Sequence, residues 1–318
     1  MELFSLARNP VPSGAVAGTF PGYDGKPLRY ARFEATRGPR RGTICLFHGF
    51  TEFIEKYFEI IADLRRRGFA VATMDWRGQG GSHRALTANQ RGHIRSFTEY
   101  DRDVACFMRE IVLPDCPPPY VALGHSMGGH IMLRNAGKAG SWFDRMVLSS
   151  PMIALSKGQL GAPAWVIRTI AEMACVLGFD QRLVPGLTDW RDSKLEFETN
   201  KLTTDRERYF RNRVLVESAQ HLTVGLPTIG WLRAALRSMA EVGDPRYAGG
   251  IGIPILFFIA GKDVIVQQSA IEDFSARVKS GTHVILANAR HEILQEADDI
   301  RGRFWAAFDA YLDVEQTA

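Results

Sequence analysis

The segment that decides the fold reads Tyr120-Val121-Ala122-Leu123-Gly124-His125-Ser126-Met127-Gly128-Gly129-His130-Ile131. Strand-compatible Tyr120 to Leu123 run into Gly124-His125-Ser126-Met127-Gly128, and helix-compatible Ile131, Met132 and Leu133 follow. The chain must therefore turn sharply with Ser126 at the apex, the layout of a nucleophile elbow. Such a turn crowds backbone against backbone, and Gly124 and Gly128 have no β-carbon to clash where strand and helix approach. The serine hydroxyl is then held above the sheet edge, free for attack.

Outward from the elbow, the chain alternates. Val16 to Phe20 and Leu28 to Phe33 are strand-like pieces around the turn-rich Pro21-Gly22-Tyr23-Asp24-Gly25, an opening hairpin or meander. Thr43 to Phe47 is a continuous apolar strand ending at His48-Gly49-Phe50. Glu55 to Arg67 has helical spacing in Tyr57, Ile60, Ile61 and Leu64, and Gly68 is placed to stop it. Phe69 to Met74 is the next buried strand, closing on Asp75-Trp76-Arg77-Gly78-Gln79-Gly80-Gly81-Ser82. That loop lacks the lysine of a phosphate-binding loop and the dinucleotide spacing, so it reads as a structural turn near the site. Ser96 to Ile111 is helical, and Pro114 to Pro119 separates it from the elbow strand. Arg145 to Ser149, Ile255 to Ala260 and His283 to Leu286 are three further strands.

This alternation predicts an α/β fold, a mostly parallel sheet flanked by helices, with ligands beyond the carboxyl ends of the strands. Between Ser150 and Ile253 the alternation stops. Helical patterns at Ala164 to Leu177, Asp205 to Ala219 and Thr228 to Glu241 predict an inserted helical cap, giving a core over 1–150 and 253–318 with a cap over 151–252. Thr204-Asp205-Arg206-Glu207 reads as a capping box for the second cap helix, and Arg168 and Glu172 are spaced to pair within the first. The first cap helix is too apolar for one buried stripe. It either packs against both core and cap, or lines an apolar tunnel or touches lipid.

The composition is that of an ordinary globular protein, with 46% hydrophobic and 23% charged residues. A formal net charge of +4 is too small and too dispersed to argue for nucleic acid. Basic residues are 31 Arg and 8 Lys, which biased codon usage accounts for more simply than phosphate binding. Cys45, Cys106, Cys116 and Cys175 lie far apart, so neither zinc nor a disulfide framework is expected. Met1 to Gly14 lacks an apolar stretch behind a basic start, and the longest apolar run, Ile253 to Ala260, is short of a membrane span. The expectation is a cytoplasmic protein, with peripheral contact to the inner face of the membrane left open.

A serine hydroxyl is a poor nucleophile at neutral pH and needs an imidazole to take its proton and a carboxylate to orient that imidazole. Asp263 follows the strand Ile255 to Ala260, and His291 follows the strand His283 to Leu286, which gives the order serine, acid, histidine. The separation of 28 positions accommodates one crossover helix, Gln268 to Val278, and a return strand. Asp244, His125, His130 and His283 are weaker competitors by position. The oxyanion needs two backbone donors: Met127, at the start of the elbow helix, and Phe50, with Thr51 the alternative. His48 reads as a brace for its loop. No cofactor or metal is implied.

With these residues in view, the sequence resembles the α/β-hydrolase superfamily, and within it the monoacylglycerol lipase and bacterial lysophospholipase group. The resemblance is carried by His48-Gly49-Phe50 with Glu52 and Tyr57, Asp75-Trp76-Arg77-Gly78-Gln79-Gly80, Gly124-His125-Ser126-Met127-Gly128-Gly129, Gly261-Lys262-Asp263 and His291-Glu292-Ile293-Leu294. It implies Ser126 as nucleophile, Asp263 as acid, His291 as base, and Phe50 and Met127 as oxyanion donors. The function expected is a serine esterase acting on a small-molecule lipid ester, a lysophospholipid or a monoacylglycerol. Alternatives are a small-ester carboxylesterase, an amidase or aminopeptidase using Glu196 and Glu198 to hold an amine, and a catalytically silent receptor. Arg206, Arg208, Arg211 and Arg213 either attract a phosphorylated head group or form a solvated face, the simpler reading.

Overall fold

Short hydrophobic runs closed by turn residues become the strands of one sheet. The structure is a computed structural model describing residues 2–86, 90–138, 140–187 and 196–314. The strands are β1 (Val16–Pro21), β2 (Pro27–Phe33), β3 (Thr43–Phe47), β4 (Ala70–Met74), β5 (Tyr120–His125), β6 (Arg145–Ser149), β7 (Ile255–Ala260) and β8 (Gly281–Leu286). Their spatial order is β1-β2-β4-β3-β5-β6-β7-β8. β2 pairs antiparallel with both β1 and β4, and the remaining pairings are parallel. β8 starts two residues before the expected His283 because Gly281 already pairs with Ile255.

Every residue of β3, β4 and β7 is buried, as parallel strands covered on both faces require. Successive side chains leave a strand on opposite faces. Cys45 and Phe47 therefore join Trp76, Phe107, Met127 and Phe257 in one core layer, while Ile44 and Leu46 join Leu64, Val121, Phe258 and Phe304 in the other.

The helix Phe58–Arg66 follows a 3-10 turn, Ile54–Tyr57, and Gly68 turns the chain at φ 89°. The expected helix from Ser96 is α-helical over Phe97–Phe107, starting on a capping box made by Ser96 and Glu99. It then widens into a π turn, Met108–Val112, that keeps Met108, Ile111 and Val112 buried.

Between β6 and β7 the described residues hold helices and isolated bridges but no strand. The principal helices are Ala164–Val176, Arg206–Ser218 and Ile229–Val242. Two local expectations fail here. The N-cap of Arg206–Ser218 is Asp205, which accepts the Arg208 N–H at 2.7 Å, so the capping box starting at Thr204 does not form. Thr204 is drawn away because its N–H and hydroxyl both donate to Glu296. Glu172 pairs across helices with Arg237 instead of along its own helix with Arg168, because the helix Ala164–Val176 packs on Ile229–Val242 and brings the guanidinium to it.

Of the arginines of Arg206–Ser218, Arg206 stays on a solvated face, whereas Arg208 and Arg211 are drawn to the core. Arg208 and Arg211 each lie 2.6 Å from Glu59 of the core helix, and Arg301 of the helix Asp298–Tyr311 reaches the same carboxylate at 2.7 Å. Arg206 pairs with Glu198 and Arg213 with Glu217. Burial raises the Glu59 carboxyl, but Arg208, Arg301 and Arg211 outweigh it and bring it from 4.5 down to about 2. A carboxyl lowered on folding contributes stability above its unfolded value and loses it as pH falls toward its folded value. Glu59→Gln should lower the unfolding free energy by about 2 kcal/mol at pH 7. Urea unfolding should show that difference shrinking as pH drops from 4.5 toward 2.

Candidate active site

At the end of β5 the backbone of Ser126 takes φ 51° and ψ −115°, a left-handed conformation that costs on the order of 1–3 kcal/mol for a residue with a β-carbon. Its surroundings hold it there. The Ser126 N–H donates to Ser149 O, and its carbonyl accepts from the N–H groups of His130 and Met152, each at 3.0 Å. The helix Met127–Ala136 then lies so close to the sheet that a β-carbon on Gly128 would sit 2.3 Å from Phe47 O, and one on Gly124 2.8 Å from Gly129 Cα.

Asp263, beyond the end of β7, and His291, beyond the end of β8, converge on this turn. His291 Nε2 is 3.0 Å from Ser126 Oγ, and His291 Nδ1 is 2.7 Å from Asp263 Oδ2. All three residues are buried, with 9%, 5% and 7% exposure for Ser126, His291 and Asp263. The other Asp263 oxygen accepts the N–H groups of Ile265 at 2.8 Å and Val266 at 3.1 Å. Burial raises the Asp263 carboxyl, yet its bond to His291 and those two amides hold it below its ordinary value. An ionised carboxylate on Nδ1 leaves Nε2 as the nitrogen facing the hydroxyl.

The loop after β3 distributes its amides unevenly. Gly49 N–H donates to Glu52 Oε2 at 2.5 Å and Thr51 N–H to Gln79 Oε1 at 2.6 Å. Phe50 N–H, between them, and Met127 N–H have no hydrogen-bond partner among the described residues. Thr51, the alternative oxyanion donor by sequence, has its amide committed elsewhere. Gln79 belongs to a loop read from sequence only as a turn, and nothing in the local pattern signals that its carboxamide reaches Thr51. His48 braces that region: its Nδ1 is 2.9 Å from Gly49 O and its Nε2 3.4 Å from Asp75 Oδ1, and its carbonyl accepts Trp76 Nε1–H at 2.8 Å.

The hydroxyl opens into a cavity of about 680 Å³, walled by Phe50, Leu155, Ile167, Ala171, Leu187 and Trp231 among others. Phe50 and Trp231 stack with ring centroids 4.1 Å apart. The helix Ala164–Val176 turns Ile167 and Ala171 to this cavity while Trp165, Met173 and Val176 stand 67%, 62% and 85% exposed. Of the two sequence readings for this helix, lining an apolar space with an outward apolar face describes it better than burial on both sides. Glu196 and Glu198 do not line the cavity, and Glu198 is paired with Arg206 at 3.1 Å.

A family model described as "Serine aminopeptidase, S33" matches residues 38–298. The chain belongs to this family of α/β-hydrolases. Lysophospholipase L2 of Escherichia coli (strain K12) is 31% identical over 290 residues, covering 89% of this chain and 83% of that protein. Monoacylglycerol lipase of Mycolicibacterium smegmatis is 29% identical, covering 88% and 91%. Among solved structures, a soluble variant of Saccharomyces cerevisiae monoglyceride lipase in complex with a substrate analog superposes with a TM-score of 0.71 at 20% identity, over 94% of this chain and 96% of that one.

Two other histidines flank the elbow. The His125 ring lies 4.9 Å from the His291 ring with Nδ1 3.2 Å from Ser149 O, and His130 Nε2 is 2.6 Å from Ser238 Oγ. Burial lowers His125 from 6.5 to about 4, with Glu52 opposing and His291 reinforcing. Burial and the Arg134 charge lower His130 to about 3. A histidine lowered on folding takes its proton first in the unfolded chain, so stability falls as pH drops below 6.5. NMR titration should find both imidazoles neutral at about pH 5. His130→Gln should flatten the acid side of the stability curve.

Proposed function

We propose that this chain is a serine hydrolase that cleaves the carboxylic ester of single-acyl-chain lipids through an acyl-enzyme, with Ser126 as nucleophile, His291 as base and Asp263 as the orienting acid. The observation that carries the reading is a serine hydroxyl 3.0 Å from an imidazole that is itself 2.7 Å from a buried carboxylate, opening into an apolar cavity. His291 Nε2 takes the Ser126 proton as Oγ attacks the ester carbonyl. The free amides of Phe50 and Met127 hold the tetrahedral oxyanion, and the positive end of the elbow helix adds to them. His291 then returns the proton to the departing alcohol, and water repeats the sequence on the acyl-enzyme. Relatives named lysophospholipase and monoacylglycerol lipase support a lipid ester substrate.

Residues 151–252 act as a cap over the cavity in this reading. No helix among the described residues is long and apolar enough to cross a membrane. The outward face of the cap helix, with Trp165, Met173, Val176 and Leu177 exposed, suits peripheral contact with lipid, where the substrates reside.

The family description keeps one second reading in play, hydrolysis of an amide from an amino-terminal residue. The carboxylates lining the cavity are Glu52 and Glu292, and Lys56 lies 2.6 Å from each. Neither is therefore an unopposed charge for a substrate amine, which favours the ester.

A fluorophosphonate probe should label the chain at Ser126 and fail on Ser126→Ala, whose kcat should drop on the order of 10⁴-fold or more. Fatty acid release from lysophospholipid and from monoacylglycerol should exceed release from short nitrophenyl esters and aminoacyl anilides. A preference for either of the latter two overturns the lipid reading. The double variant Trp165→Ala, Leu177→Ala should bind phospholipid vesicles less while hydrolysing a dispersed short ester at the normal rate.

A further inference from the structure

Lys56 is a partly buried cation outside the hydrogen-bonded chain from Ser126 to Asp263. Its ammonium is 2.6 Å from Glu52 Oε1 and 2.6 Å from Glu292 Oε1, and the three side chains are 13%, 6% and 8% exposed. Glu52 is four residues away, whereas Glu292 is 236 residues distant and adjoins His291. Glu52 uses its second oxygen to accept the Gly49 N–H at 2.5 Å and the Tyr57 hydroxyl at 2.7 Å. A single ammonium thus spans the loop that carries Phe50 and the loop that carries His291.

We propose that Lys56 is a positioning residue, which sets the spacing between the Phe50 loop and the His291 loop by bridging Glu52 to Glu292. The proposal rests on the preceding assignment of His291 as base and Phe50 as oxyanion donor. The two groups must act together on one tetrahedral centre, and displacement of either by about 1 Å is enough to cost roughly 10²-fold in rate. Neither loop is tied to the other by strand pairing, since β3 and β8 lie four places apart in the sheet order. Without the ammonium, two buried carboxylates would be left in one pocket, and like charges in low dielectric repel or take up a proton. Burial lowers the Lys56 ammonium, but Glu292 and Glu52 outweigh it and keep it charged. Burial raises Glu292, with Lys56 opposing.

The bridge also acts electrostatically. His291 faces Asp263 from the loop after β7, Ser126 and His125 from the elbow, and Glu292 beside it, backed by Lys56 and Glu52 from the loop after β3. The Lys56 ammonium sits between the two carboxylates and so limits the negative charge beside the ring.

Wild type, K56M, K56R and E292Q are compared for kcat and KM on a nitrophenyl ester and for rate of fluorophosphonate inactivation. K56M should lose about 10²-fold in kcat with KM within about threefold, and be inactivated more slowly by a similar factor. K56R should recover to within about tenfold of wild type, since a guanidinium keeps the bridge. E292Q removes one anchor of the bridge and should lower kcat by about tenfold with KM within about threefold. A folded K56M that turns over at the wild-type kcat, or whose defect lies in KM alone, overturns the proposal. Should K56M not fold, E292Q decides: an unchanged kcat overturns it. A wild-type chain that the probe does not label sinks the Ser126 assignment itself. Equal labelling of wild type and K56M sinks the bridge alone.

Discussion

The close approach of the elbow helix to the sheet is the constraint on which the rest of the site depends. Ser126 is held at φ 51°, and the helix that follows passes so near β3 that Gly128 has no room for a side chain against Phe47 O. The strain is offset by the hydrogen bond that Ser126 N–H donates to Ser149 O and by those its carbonyl accepts from His130 and Met152, so the backbone that carries the hydroxyl is fixed. The same contact sets Met127 N–H at the start of the helix, where an amide has no partner within its own helix. One packing event therefore places both a hydroxyl and a donor.

Around that point the molecule arranges charge in buried, fully partnered groups. Asp263 is held by His291 and two amides, Asp75 by Arg29 at 2.5 Å, and Glu52 by Lys56, Gly49 and Tyr57. Each carboxylate stays ionised because its partners outweigh the cost of burial. The site consequently combines a polar floor with apolar walls. The walls come from Phe50, Trp231 and the helix Ala164–Val176, so the space available suits a hydrocarbon chain more than a peptide.

Much of this was legible in the sequence. Strand positions, the G-x-S-x-G turn and the chain order Ser126, Asp263, His291 follow from local hydrophobic period and from motif spacing, both of which are properties of neighbouring residues. The misreadings arose where a side chain left its own segment. Thr204 reads as a helix cap but turns to Glu296, and Glu172 reads as a partner for Arg168 but meets Arg237. Arg208 and Arg211 read as a surface face and instead converge on Glu59, about 150 residues upstream.

By itself the sequence determined the alternating α/β order, the tight turn at Ser126 and the three residue types that a nucleophile, a base and an acid require, because these depend on local pattern. Only the tertiary structure decided which amide of the His48 to Thr51 loop is left without a partner, since that turns on Gln79 reaching Thr51 and Glu52 reaching Gly49. It also decided that Lys56 lies between Glu52 and Glu292 and that Arg208 and Arg211 face Glu59. Pairings between residues so far apart in the chain are fixed by where strands and helices pack, and no short stretch of sequence encodes them.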